Sequence, residues 1–138
     1  MSLVVDSSVA MAWAVKDEAS ARADSVLETV TKTGGHVPFL FPAEFANGLT
    51  MAVRRGRTDS EARREALNFV QRLGLAHDLE GPGRLPIVIE LADTYGLTVY
   101  DAFYLDLAQR HGLSLATFDR KLAAAARQAM VQLAVPEA

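Results

Sequence analysis

At 138 residues, half of them hydrophobic and 22% charged, the chain has the size and composition of one globular domain with its own core, not of a disordered polymer. It contains no cysteine, which excludes disulfides, thiolate metal sites and cysteine nucleophiles. The formal net charge of −3 argues against a broad basic nucleic-acid surface and leaves only local cationic patches open.

The first strand is expected at Leu3-Val4-Val5, an apolar run that stops at Asp6. Ser7 and Ser8 are helix-start residues, and a short helix containing Trp13 is predicted over 9–15. Ala19, Ala23, Val26, Leu27 and Val30 recur at i, i+4, i+7, i+8 and i+11, one apolar helix face, ended by Gly34-Gly35. A second strand is expected over 37–41, with Pro38 tolerated near its start or on an edge. Pro42 suits a first helical turn, and the helix behind it runs to 55 and stops at Gly56.

Thr58 and Glu61 have the spacing of a capping box, for a helix that buries Ala62, Ala66, Phe69, Val70 and Leu73. A short strand over 75–78, a loop over 80–83 and a helix over 86–95 closed by Gly96 follow. Another helix spans 101–111 and ends at Gly112. A strand over 113–117, an alanine-rich helix opened by Asp119 and a last strand over 130–135 complete the chain. Strands alternating with helices predict an α/β fold with a parallel sheet, as one domain over 1–138. No apolar run approaches the ~18 residues of a membrane span, and the N-terminus lacks the pattern of a signal peptide. A cytoplasmic location is expected.

Asp6, Glu44, Asp101 and Asp119 each fall where a strand ends or a helix begins. In a parallel sheet those junctions gather beyond the carboxyl ends of the strands, where ligand crevices form. Carboxylates crowded there need a positive counterweight, and hard divalent cations with oxygen ligands, Mg²⁺ or Mn²⁺, supply one. Taken singly, each acid also fits a bland role. Asp6 and Asp119 suit helix N-caps, while Glu44 and Asp101 suit the positive end of a helix dipole. Two patterns favour the site. Asp101 shares a stripe with Tyr104, Leu105 and Ala108, so it points inward, whereas Asp106, Gln109 and Arg110 form the polar face, with Asp106 an ordinary surface acid. Glu44 lies in a stripe with Asn47, Gly48 and Met51, and a glycine inside a helix costs about 1 kcal/mol, which suggests close approach of another group. A metal in such a site activates water and stabilises charge on a phosphoryl oxygen, so phosphodiester hydrolysis would need no covalent nucleophile.

Four segments, Val4-Val5-Asp6-Ser7-Ser8, Glu44 with Asn47, Tyr100-Asp101-Ala102-Phe103-Tyr104-Leu105 and Leu115-Ala116-Thr117-Phe118-Asp119, resemble in order the motifs of PIN-domain nucleases. The resemblance spans nearly the whole chain. Length and isolated-domain form look most like VapC, the toxin half of bacterial VapBC toxin–antitoxin pairs. The resemblance implies a three-layer domain with a five-stranded parallel sheet flanked by helices. It also implies a Mg²⁺- or Mn²⁺-dependent endoribonuclease with Asp6, Glu44, Asp101 and Asp119 as catalytic and metal-binding acids. Ser8, Asn47 and Thr117 would give polar support. A homodimer and inhibition by a small antitoxin whose tail covers the site are further implications.

Other candidates are weaker. Ser7 and Ser8 have no histidine in a triad context, and His36, His77 and His111 lack metal-ligand spacing. Arg54, Arg55 and Arg57, with Arg63, Arg64 and Arg72, cluster around Gly56 and could follow an RNA backbone. Interspersed acids make a solvated helix surface an equal reading. Trp13 and Tyr100 are open as base-stacking residues, while Phe103 and Tyr104 have core spacing. A phosphatase with an aspartate nucleophile would carry a second acid two residues after Asp6, where Ser8 stands. A phosphoreceiver would carry a lysine after the last strand, which is followed by Pro136-Glu137-Ala138. The rival from another class is a non-catalytic RNA- or protein-binding module on the same fold.

Overall fold

The computed structural model describes residues 2–135; Met1 and residues 136–138 lie outside it. Four short parallel strands, β1 (Leu3–Val5), β2 (Gly35–Pro38), β3 (Ala76–Asp78) and β4 (Ser114–Ala116), are arranged in the order β3-β2-β1-β4. β1 is interior, with Leu3 beside Gly35 and Ser114, Val4 beside His36 and Leu115, and Val5 beside Ala116. All three of its residues are buried, as an unbroken apolar run in a covered parallel sheet should be. Among the described residues seven helices are interleaved with the strands: α1 (Ser7–Ala14), α2 (Ala21–Thr33), α3 (Phe41–Arg54), α4 (Ser60–Arg72), α5 (Leu85–Tyr95), α6 (Val99–His111) and α7 (Arg120–Gln128). Single 3₁₀ turns lie at Lys16–Glu18 and Gly81–Arg84. α6 packs on β1, β2 and β4 and against α5 and α7, while α1 packs against α2, α3 and α4. Among the described residues, no helix is long and apolar enough to cross a membrane.

Among the described residues the sheet has four strands, not the five expected. Over 130–135 the chain makes a single bridge, Leu133 beside Leu115, in which Leu115 donates to Gln132 O and accepts from Ala134 N–H. Met130 has a left-handed φ of 62°, which turns the chain out of α7 and leaves too little extended backbone for a ladder. Pro38 also differs from expectation, since it closes an interior strand. The β1 ladder ends at the Val4–His36 pair, so no N–H is required of Pro38 on that side.

Two local readings shift as well. α4 is capped by Asp59, whose Oδ1 accepts from Ala62 N–H at 2.8 Å, and not by Thr58. Phe69, read as core, is 39% exposed, while Ala66 and Val70 carry the buried stripe of that helix. Gly48 does mark a close approach, of α1 to α3: a methyl group built on it would stand 2.8 Å from Met11 Sδ. The neighbour is another helix of the same chain.

Candidate active site

Because the strands are parallel, their carboxyl ends share one edge of the sheet, and the ladder that pairs Val5 with Ala116 places Asp6 opposite Thr117. Asp6 N–H donates to Ala116 O at 3.0 Å. The Asp6 carboxylate is 5% exposed. Its Oδ2 accepts from Ser8 Oγ at 2.7 Å and from Thr117 Oγ1 at 2.6 Å. Both hydroxyls are oriented in turn by backbone amides. Ser8 Oγ accepts from Phe118 N–H and Thr117 Oγ1 from Asp119 N–H, each at 3.0 Å. Burial raises the Asp6 pKa, and the two hydroxyl donors offset that rise only in part.

The other three acids come from helix starts. Glu44 sits in the first turn of α3, and Tyr104 OH donates to its Oε1 at 2.7 Å. Burial raises the Glu44 pKa against that bond, with the charges of Asp6 and Asp101 adding to the rise. The Tyr104 hydroxyl, pushed far upward by burial and by its acidic neighbours, stays protonated and is a fixed donor. Asp101 lies in the first turn of α6, which begins two residues earlier than expected because Thr98 is its cap, accepting from Asp101 N–H at 3.1 Å. Burial first, then the charges of Asp119 and Asp6, raise the Asp101 carboxyl to about 6. Asp119 is an N-cap, as the bland reading had it, accepting from Lys121 N–H at 2.9 Å and Leu122 N–H at 3.2 Å through Oδ1.

The four acids therefore meet at one edge, each within electrostatic reach of at least one other. No ion pair between the described residues includes any of them. The donor set is hard oxygen, partly desolvated and negative, and that chemistry suits a small divalent cation. Among the described residues, no three histidine, aspartate or glutamate side chains converge closely enough to form a ready cation cage. The four acids line the carboxyl edge of the sheet and do not close on one point.

Other candidate residues are placed elsewhere. Asn47 is exposed, one turn after Glu44 on α3. Arg54 and Arg55 lie at the far end of that helix, about 15 Å from Glu44 at 1.5 Å per residue. Arg57 is committed to Asp17, through Nε at 3.0 Å and Nη2 at 2.7 Å, and to Glu18 at 2.6 Å. Trp13 Nε1 donates to Ala23 O at 2.8 Å, tying α1 to α2. His36 and His111 stack with ring centroids 6.4 Å apart.

Asp106 is not a surface acid. It is 2% exposed, gripped by Arg84 through Nε at 2.8 Å and Nη2 at 2.9 Å, with Arg110 Nη2 at 3.3 Å. Arg110 also reaches Asp78 at 2.6 Å and Glu80 at 3.2 Å. α6 is buried from Ala102 to Ala108, so it has no solvent face in that stretch. The role of Tyr104 was also missed. Its signal was a tyrosine, not a phenylalanine, at a core position one turn from Asp101, since a buried phenol seeks a hydrogen-bond partner.

Residues 3–128 match the PIN domain family. Over 127 residues the chain is 36% identical to Ribonuclease VapC3 of Pyrobaculum aerophilum, covering 89% of this chain and 93% of that protein. Its structure is similar to the crystal structure of PAE2754 from Pyrobaculum aerophilum, with a TM-score of 0.71 and 29% identity over 91% of this chain and 84% of that one. FitAcB from Neisseria gonorrhoeae, at 16% identity and a TM-score of 0.63 over 96% of both chains, shares the fold. The family match takes in all four described strands and all four acids at their carboxyl edge: the chain belongs to the PIN-domain family.

Proposed function

We propose that this protein is a VapC-type endoribonuclease, the toxin of a toxin–antitoxin pair, which hydrolyses RNA phosphodiester bonds with Mg²⁺ or Mn²⁺ at Asp6, Glu44, Asp101 and Asp119. The observation that carries the reading is the gathering of the four acids at the carboxyl edge of the sheet, with Asp6 held by Ser8 and Thr117 and Glu44 held by Tyr104. An uncompensated acidic crevice of this kind is costly unless a cation completes it. When bound, a divalent ion lowers the pKa of water and stabilises charge growing on a phosphoryl oxygen. The chain's own part is to orient the acids. Ser8 and Thr117 fix Asp6, and Tyr104 fixes Glu44. Asp119 is held by the amides it caps.

Likeness to Ribonuclease VapC3 over 89% of the chain supports RNA as the substrate class; a cytoplasmic location and an antitoxin partner belong to the same reading. A groove lined by Trp13, Ala14, Ala62, Ala66 and Phe69, with Lys16, Arg57, Asp59 and Glu65 among its charged lining, offers that partner an apolar seat. Residues 1–138 act in this reading as one domain, in a homodimer. The test is cleavage of single-stranded RNA by the purified protein with Mn²⁺ or Mg²⁺. Asp6→Asn and Asp101→Asn should each reduce the rate by orders of magnitude with an unchanged circular dichroism spectrum, and wild-type cleavage persisting in excess EDTA would refute the metal mechanism. Production of the chain alone should slow bacterial growth, and the antitoxin should restore it.

The absence of a ready cation cage among the described residues favours one alternative, a non-catalytic RNA- or protein-binding module. That reading expects binding without cleavage under every divalent metal.

A further inference from the structure

Two large aromatic side chains near the acidic edge of the sheet are left uncovered by the core. Tyr100, 63% exposed, immediately precedes Asp101 on α6. Phe39, 38% exposed, follows the last residue of β2. β1 and β2 are parallel neighbours, and Asp6 and Phe39 are the first residues beyond their carboxyl ends. At Phe39 the chain turns into the helix that carries Glu44. Single exposed apolar residues are common and need no explanation. These two are linked: Phe39 meets Phe103 edge to face at 5.1 Å and 90°, and Phe103 and Tyr100 are i,i+3 neighbours on α6. The Phe39 ring is also held by the turn that begins at Gly81. A methyl group built on Gly81 would stand 2.7 Å from Phe39 Cδ1, so the turn at Gly81–Arg84 closes directly on the ring and leaves it little freedom.

Resting on the ribonuclease reading, we propose that Tyr100 and Phe39 form a stacking platform for unpaired bases of the RNA beside the acidic crevice. The charge balance gives such a platform a role. The chain has a net charge of −3, and four acids gather at this edge with Lys121 within electrostatic reach of Asp101, so attraction to phosphates is opposed there by the acids. A base has a neutral π-face, and stacking on an aromatic ring attracts it without a cation. A rigid, preoriented ring loses little freedom when a base settles on it. Recognition of this kind selects single strands, because paired bases hide their faces.

The experiment measures binding of a labelled oligouridylate and of an abasic ribose-phosphate oligomer of equal length by fluorescence anisotropy, in EDTA, over a range of salt. Wild type should prefer the oligouridylate. Tyr100→Ala should weaken its binding about 5- to 100-fold without changing the slope of log K against log salt, since no phosphate contact is lost. Tyr100→Trp should bind as wild type does, and Tyr100→Leu should behave like alanine. Phe39→Leu, which keeps most of the packing volume, should weaken binding in the same way. Binding of the abasic oligomer should be indifferent to all four changes. Equal binding by wild type and Tyr100→Ala, full rescue by leucine, or equal wild-type affinity for both oligomers overturns the platform. Failure of the enzymatic reading has a separate signature: no cleavage with Mn²⁺, while base-dependent binding through Tyr100 persists.

Discussion

A carboxyl that titrates near 6 in the folded protein and near 4 in the unfolded chain binds an extra proton between those values, and Asp101 is such a group. Because the folded state then holds more protons, the stability that Asp101 contributes is present at low pH and falls as pH rises through about 4 to 6. The Asp6 and Glu44 carboxyls are shifted the same way, so their contributions have the same sign. In EDTA, the part of the urea stability profile due to this site should decline from about pH 4 toward neutrality. Asp101→Asn should flatten that decline and leave the apo protein at pH 7 at least as stable as wild type. A variant less stable than wild type at pH 7 would mean that the charged carboxylate is favourably placed. The neighbouring residues were unequally legible. The position of Asp101 at a helix start could be read from its stripe with Tyr104, Leu105 and Ala108. The bond from Tyr104 to Glu44 joins residues sixty positions apart, and no local pattern encodes it.

Asp101 and Asp106 lie on the same helix, and α6 treats them differently. At its N-terminal turn, Asp101 borders the crevice. Further along, sheet, α5 and α7 surround the helix, and Asp106 is enclosed with Arg84 and Arg110. Helical periodicity places Asp106 outside only where the helix has one solvent face, and a helix packed on several sides has none. The i,i+4 spacing of Asp106 and Arg110 was visible, but Arg84 comes from a turn that was read only as a loop. Breaking a buried ion pair by removing one partner leaves the other charge stranded, at about 3–5 kcal/mol. Arg84 keeps some solvent contact, so Asp106→Asn should cost about 3 kcal/mol in urea denaturation. Glu80→Ala, at the exposed end of the same network, should cost less than about 1 kcal/mol. Equal losses would show that the network is not organised around the buried acid.

For the whole molecule, the proposed metal site would link ion binding to folding, because the four acids are brought together only in the native chain. An ion that binds the folded state alone stabilises it by about 2.7 kcal/mol at a hundredfold excess over Kd. Mn²⁺ should therefore raise the melting temperature of wild type, and by more at pH 7 than at pH 5, since it competes with protons for the same carboxylates. Asp101→Asn should reduce the gain. An unmoved midpoint at millimolar Mn²⁺ would return the four acids to the role of helix caps and dipole partners.

The parallel α/β class, the order of the elements as far as α7 and the four acidic junctions were determined by the sequence alone. Short apolar runs, helical periodicity and glycine stops act over a few residues, and a carboxylate at a strand end needs only its immediate neighbours to be recognised. Interactions between distant segments were decided by the tertiary structure. Whether residues 130–135 form a strand depends on what β4 can pair with and on the left-handed turn at Met130, and the result is one bridge. Whether Asp106 or Phe69 is buried depends on how many elements pack around its helix. How Ser8 and Thr117 share one oxygen of Asp6 depends on the register between β1 and β4, since a strand reading establishes that a residue is extended and not which residue lies beside it.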